Sequence, residues 1–404
     1  MLVQFAVTNF LSFKERQCLS LETGPYLRKY PNNTFAVTPE NYGSDIKLIK
    51  NAVVFGANAS GKSNLVEALH WMREMILHPK QSINEKLPYY AFRMNQSSMN
   101  RPTVFEVELI YQKMLYKYCF SYKEDQICDE CFQIYDKKQD DYTVYFERKN
   151  GLITIIPSKY QRYSEELRDN LLGLHLLQEK NDQHAIRIMK WFDEQLVLFD
   201  RQLMNLELLE DEENKLRLLS FLKLADMNIV DVEPVFDLVD GKAKMSQLYV
   251  VYNKYDQDHL LVGKERISYA LESAGTQKLI TLALHLLFNK QGKVFILDEF
   301  DDAFHQELSL SLVQLFNAME DGSQFILTTH DLQLMDNQLR KDQIYFINKN
   351  YRGESQLYSL FDFAEDTKGS RSDITYYRRY LKGLFGGIPN IETQKLIDLA
   401  VNRK

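Results

Sequence analysis

The residues best placed by type and spacing for chemistry are Gly56-Ala-Asn-Ala-Ser-Gly-Lys62-Ser63, which fit the pattern G-x-x-x-x-G-K-S in full. Glycines let a backbone curl until consecutive N–H groups face one anion. A helix that starts where the loop ends aims its positive dipole end at the same point. The Lys62 ammonium is a point charge for the outer phosphates of a nucleotide, and the Ser63 hydroxyl is a hard oxygen ligand for Mg2+. Asn58, Ala59, Ser60, Gly61 and Asn64 complete the expected phosphate cradle.

Two further segments carry suitable groups. Val294-Phe-Ile-Leu297 is a run of apolar residues ending in Asp298 and Glu299. A buried parallel strand would deliver both carboxylates to the carboxyl edge of its sheet, where ligands bind in such folds. Asp298 is expected to hold Mg2+ through water, and Glu299 to orient or deprotonate an attacking water. Phe325-Ile-Leu-Thr-Thr-His330 is a second buried strand, ending in a histidine placed to meet a terminal phosphate or that water. Asp301, Asp302, His305 and Glu307 crowd the same turn and offer donors for a hard divalent ion, which would suit a nuclease. One short segment rarely supplies a whole coordination shell, so a polar turn before a helix is the favoured reading.

The elements that must position these groups follow from periodicity. Leu48 to Phe55 reads as one apolar strand running into the glycine loop, and Ser63 to Leu77 as an amphipathic helix. Val3, Phe5 and Val7 alternate as a strand whose side chains point one way, with Leu19 and Leu21 on the return. Residues 25–46 read as loop, 102–157 as an antiparallel sheet, and 160–226 as two to four helices. Strands return near 229–236, 247–255, 294–297, 324–327 and 343–347, with helices over 272–290 and 305–320. The class is α/β.

The bulk numbers exclude several functions. Apolar residues make up 45% and charged residues 26%, values of an ordinary globular chain. With 56 acidic against 49 basic residues the net charge is −7, which disfavours a protein coated in nucleic acid but leaves room for a local basic stripe. Four cysteines in 404 residues (Cys18, Cys119, Cys128 and Cys131) point to a reducing compartment. No apolar run reaches the ~18 residues of a membrane span, and the N-terminus has no signal-peptide pattern, so a cytoplasmic protein is expected.

Taken in order, the Asn58-containing phosphate loop, Ser273-Ala-Gly275-Thr-Gln-Lys278, Leu297-Asp298-Glu299 and Thr328-Thr-His330 resemble the ABC-class ATPases. The likeness is to the branch of SMC and RecF heads, and to small bacterial AAA/ABC ATPases of phage defence. The opening Phe5-Ala-Val-Thr-Asn9-Phe-Leu-Ser-Phe13-Lys and the tail Tyr380-Leu-Lys-Gly-Leu-Phe-Gly-Gly-Ile-Pro389 look like this branch too. The resemblance implies an ABC-type head with a mixed sheet around the phosphate loop and an antiparallel subdomain. It implies hydrolysis of ATP with Mg2+, and a homodimer in which ATP on Lys62 of one copy is capped by Ser273 and Gly275 of the other. It further implies a separately encoded effector, a nuclease or toxin, with DNA or RNA contact left open. The alternatives are a RecF-type repair head and a nuclease in its own right. The chain departs from the pattern at Leu11, where a basic residue is common, and no glutamine is assigned to Mg2+ sensing; Gln96 and Gln112 are the weak candidates.

On this reading residues 1–158 and 229–404 are the halves of the head, and 159–228 a helical insert. Two helices of ~25 residues would extend only about 40 Å, so the insert is expected to be a compact lobe. Cys128 and Cys131 have the spacing of half a zinc site without a second pair. Arg371, Arg378, Arg379 and Lys382 are read as the solvated face of a C-terminal helix in preference to a phosphate contact.

Overall fold

The computed structural model describes residues 1–199, 206–225, 228–239, 242–288, 292–363, 375–386 and 392–401. Arg371 and the tail residues Gly387, Ile388 and Pro389 lie outside them. The α/β class holds. A six-stranded sheet runs in the order Leu196–Leu198, Val294–Leu297, Gln324–Thr329, Asn51–Phe55, Ile344–Lys349, Ser355–Ser359. Its first five strands are parallel to one another and only the last is antiparallel.

Both faces of this sheet are covered, which is why the runs Ala52–Phe55, Val294–Leu297 and Phe325–Leu327 are unbroken and apolar. Ala52, Val54, Ile296 and Ile326 face one core, and Val53, Phe55, Phe295, Leu297, Phe325 and Leu327 the other. In the first core the helix Lys62–Leu77 buries Leu65, Leu69, Met72 and Ile76 against a seven-stranded antiparallel sheet. That sheet runs in the order 152–155, 141–149, 127–136, 114–122, 103–111, 2–8, 17–20. In the second core the helices Ala274–Phe288 and Gln306–Ala318 pack from the opposite side through Leu279, Ala283, Val313 and Phe316.

Several expectations are corrected. Leu48 to Phe55 is two strands: Ile46–Ile49 pairs with Thr34–Val37, and Asn51–Phe55 enters the parallel sheet. The chain changes sheets at Lys50, whose N–H donates to Asn33 O (2.9 Å) while its carbonyl accepts from Phe325 N (2.7 Å). Residues 25–46 therefore contain a strand; its pairing partner lies in the next segment, and local composition hides it. Val3 does not share a core with Phe5 and Val7. A register shift between Leu2 and Gln4 places Leu2 with them, and Val3 packs with Ile46, Leu48, Ile110 and Leu115. The segment 159–228 is not wholly helical. Besides the helices Gly173–Glu179, Gln183–Lys190 and Glu212–Leu224 it contributes Leu196–Leu198 to the parallel sheet, beside Val294–Leu297. The strand Leu261–Ser268, an exposed edge beside Lys242–Tyr255, has no apolar alternation to announce it.

Candidate functional site

Strand Asn51–Phe55 sits between Gln324–Thr329 and Ile344–Lys349, so the loop it feeds emerges in the middle of the sheet's carboxyl edge. Gly61 caps the following helix with φ +113°, a backbone conformation that favours glycine. A Cβ there would lie 2.6 Å from Ser355 Oγ and 2.7 Å from Ser12 Oγ, and one at Gly56 would lie 2.5 Å from Ile347 O. Both glycines are thus demanded by space as well as by φ or curl. Ala59 also adopts a positive φ, +60°.

The loop is held from two sides by groups the sequence pattern did not reveal. Asn64 Nδ2 donates to Ser12 Oγ (2.6 Å), Ser12 Oγ shares a hydrogen bond with Ser355 Oγ (2.7 Å), and Ser355 Oγ donates to Ser60 O (2.5 Å). Ser12 and Ser355 are 343 residues apart, and no local signal links them.

Lys62 is only 5% exposed. Its Nζ donates to Gly56 O (2.8 Å) and Ala57 O (3.1 Å) and lies 3.4 Å from His330 Nδ1. Burial pushes the ammonium below the usual lysine range, and the carboxylates of Asp298, Glu299 and Asp301 oppose that shift. An open cavity of about 510 Å3 is lined by Asn58, Ala59, Ser60, Gly61, Lys62, Ser63, Asn64, Glu299, Asp302, His330 and Lys349. The whole expected cradle, the second carboxylate and the histidine are therefore brought to one place. The Ser60 Oγ is buried there with no hydrogen-bond partner among the described residues.

Asp298 stands behind this wall and does not line the cavity. Thr328 Oγ1 donates to its carboxylate and accepts from Glu299 N (2.9 Å). One hydroxyl of the histidine-bearing strand thus orients both acids of its neighbour. Thr328 was visible in the sequence only as part of Thr-Thr-His; the parallel pairing of Leu297 with Leu327 gives it this task. Glu299 adopts φ +45°, a strained conformation for a non-glycine residue. Lys278 Nζ anchors it by donating to Glu299 O (2.7 Å). The Asp301 carboxylate accepts from His330 N (3.3 Å).

Ser273 and Gly275 do not line this cavity. Ser273 is exposed, and its Oγ accepts from Thr276 N (3.2 Å) at the start of the helix. A Cβ at Gly275 would meet Ala303 O at 2.5 Å.

The remaining candidates disperse. No cluster of three or more acidic, histidine or cysteine side chains able to hold a metal exists among the described residues. His305 instead caps the helix Gln306–Ala318 by accepting from Glu307 N (3.3 Å). Cys131 lies directly across from Cys119 on the neighbouring strand; Cys128, three positions earlier in the same strand, is not its partner. Gln112 Oε1 accepts from Arg187 Nε (3.0 Å) and Gln96 is exposed; neither lines the cavity. Arg378 and Lys382 are exposed around the helix Tyr376–Leu381. No helix among the described residues is long and apolar enough to cross a membrane.

A family described as "AAA domain, putative AbiEii toxin, Type IV TA system" matches residues 52–336, from the phosphate-loop strand past His330. No curated protein matches the chain. Among solved structures, the SMC head domain from Thermotoga maritima aligns over 89% of this chain and 98% of that chain, at 14% identity and a TM-score of 0.38. An SmcHead bound to the C-winged helix domain of ScpA aligns over 90% of this chain and 98% of that one, at 12% identity and a TM-score of 0.45. The family match spans well over half of the chain and contains the phosphate loop, both acids and the histidine, so this protein belongs to that AAA domain family.

Proposed function

We propose that the chain binds ATP with Mg2+ and hydrolyses it, and that the hydrolytic site is completed by a second copy. The observation that carries this is the single cavity in which Lys62, Glu299 and His330 face one another. The backbone of Asn58 to Asn64 and the Lys62 ammonium would hold the phosphates. Mg2+, when bound, neutralises charge on the phosphate oxygens; Ser63 would hold it directly and Asp298, behind the cavity wall, through water. Glu299 would take the proton of the attacking water, and His330 would orient that water or a terminal phosphate oxygen. The loop fits such a ligand on its own geometry: two glycines admit no Cβ, and the buried Ser60 hydroxyl has no partner among the described residues.

Ser273 and Gly275 sit at an exposed helix start away from their own chain's cavity. That placement favours a role in trans, with their N–H groups capping a nucleotide held by another copy. The division of the head into 1–158 and 229–404 belongs to the same reading, with the segment 159–228 adding the strand Leu196–Leu198 to the head's own sheet. Closure of two heads on ATP is a two-state change that a separately encoded effector can read. The family's description names a putative toxin of a type IV TA system, which supports a chain that works with a second protein.

Glu299→Gln tests the proposal. The variant should bind ATP, lose hydrolysis on the order of 100-fold or more, and accumulate as a dimer with ATP and Mg2+ in sedimentation. A variant that stays monomeric removes the sandwich, and one that hydrolyses normally removes Glu299 as the base.

A further inference from the structure

We propose that Lys349 is a second cationic ligand for the nucleotide's phosphates, presented in cis by the edge hairpin Ile344–Lys349/Ser355–Ser359. This rests on the ATP reading above and extends it to a residue outside the phosphate loop, the acids and the histidine.

Register places the residue. Phe346 pairs with Phe55 in parallel, so Ile347 to Lys349 continue the strand from the point where the phosphate loop begins. The close approach of Gly56 to Ile347 O keeps the two segments in contact beyond the last paired residue. Lys349 lines the same cavity as Lys62, Glu299 and His330.

The backbone beneath it is fixed. Asn350 N donates to Glu354 O and Gly353 N to Asn350 O (both 3.0 Å), closing a tight turn directly after Lys349. Asn350 Oδ1 accepts from Arg352 N (2.9 Å) and Glu354 N (3.0 Å). The turn is tied to the N-terminal segment by the Lys14–Glu354 ion pair (2.8 Å) and by Ser355 N donating to Ser12 O (2.8 Å). The chain Ser12–Ser355–Ser60 then connects the hairpin to the phosphate loop itself.

Upon this rigid base the Lys349 ammonium makes no ion pair or hydrogen bond among the described residues, although Lys14, in the adjoining segment, does. Charge explains its place. Without Lys349 the lining would set one cation, Lys62, against two carboxylates, Glu299 and Asp302. Lys62 is itself drawn onto two backbone carbonyls. A polyanion entering that cavity gains from a cation free to turn toward it, and an ammonium on a flexible stem is suited to a point-charge contact with phosphate.

Titration calorimetry of the full chain with ATP tests this. Lys349→Ala and Lys349→Gln should each weaken ATP binding about tenfold, as for one charge-assisted hydrogen bond, while Lys349→Arg stays within about twofold because it restores a charged donor. Lys138→Ala, which removes the same charge from a distant hairpin, should bind as the parent does. Unchanged affinity in both Lys349→Ala and Lys349→Gln overturns the proposal, as does an equal loss in Lys138→Ala, which would reduce the effect to net charge. Failure of the parent chain to bind ATP overturns the preceding section instead, and is read in the same experiment.

Discussion

Lys62 and Arg148 are both nearly sealed from solvent, at 5% and 1% exposure, and each gives hydrogen bonds to two backbone carbonyls. Their surroundings differ. Arg148, in the antiparallel sheet, donates to Gly151 O and Leu171 O (both 3.0 Å) and pairs with Asp169 (3.3 Å). Nearby, the buried Glu130 accepts from Tyr118 OH (2.8 Å), Gly173 N (2.6 Å) and Leu174 N (3.1 Å). That network is closed and holds the segment 169–174 onto the sheet. Lys62 instead opens onto a cavity walled by acids and a histidine. Burial of a charge therefore does not distinguish a structural lock from a working group; the space beside it does.

The comparison breaks if either cation behaves like the other. The largest effect is expected from Lys62→Ala, which should lower ATP affinity on the order of 100-fold through loss of charge-assisted contacts, with a thermal midpoint near that of the parent. Arg148→Ala should do the reverse. It leaves two partly buried carbonyls unpaired and removes the cation near Glu130, costing about 3 kcal/mol of stability in urea unfolding; folded molecules should bind ATP normally. If Arg148→Ala lost ATP binding while still folded, the two regions would be coupled.

A smaller, pH-dependent effect belongs to His175, buried beneath the phosphate-loop helix with Nε2 2.9 Å from Ile76 O. Burial lowers its pKa from 6.5 to about 4. Its stabilising contribution is present above pH 6.5 and is lost as the pH falls toward 4. At ~1.4 kcal/mol per unit this is about 3 to 4 kcal/mol at most. Melting curves between those pH values should flatten in His175→Gln; an unaltered slope would assign the acid sensitivity elsewhere, His285 being a half-buried histidine also lowered to about 4. The smallest effect is expected from Ser355→Ala. Loss of its hydrogen bonds to Ser60 O and Ser12 Oγ should cost about 1 kcal/mol and weaken ATP binding a few-fold, without the collapse expected for Lys62→Ala.

Much of the parallel sheet was legible in the chain itself. Strands covered on both faces carry mostly apolar side chains, so Val294–Leu297 and Phe325–Leu327 declared themselves, and Asp298, Glu299 and His330 marked where burial ends. The phosphate loop was legible because its chemistry is local: eight consecutive residues curl, cap a helix and present a cation. The antiparallel region was legible as strands, while its register shift at Leu2/Gln4 and its buried Glu130–Arg148 network were not. A charged residue in a strand looks the same whether it meets water or a carbonyl far along the chain.

By itself, then, the sequence determined the phosphate loop, the order of the motifs and the α/β class, since each follows from spacing of a few residues. Tertiary structure alone decided which groups meet. It placed Thr328 between Asp298 and Glu299, brought Ser12 and Ser355 onto the loop, set Lys349 at its rim, and kept Ser273 and Gly275 out of their own cavity. These contacts join strands distant in sequence through sheet register, and register is a property of paired backbones that no single segment carries.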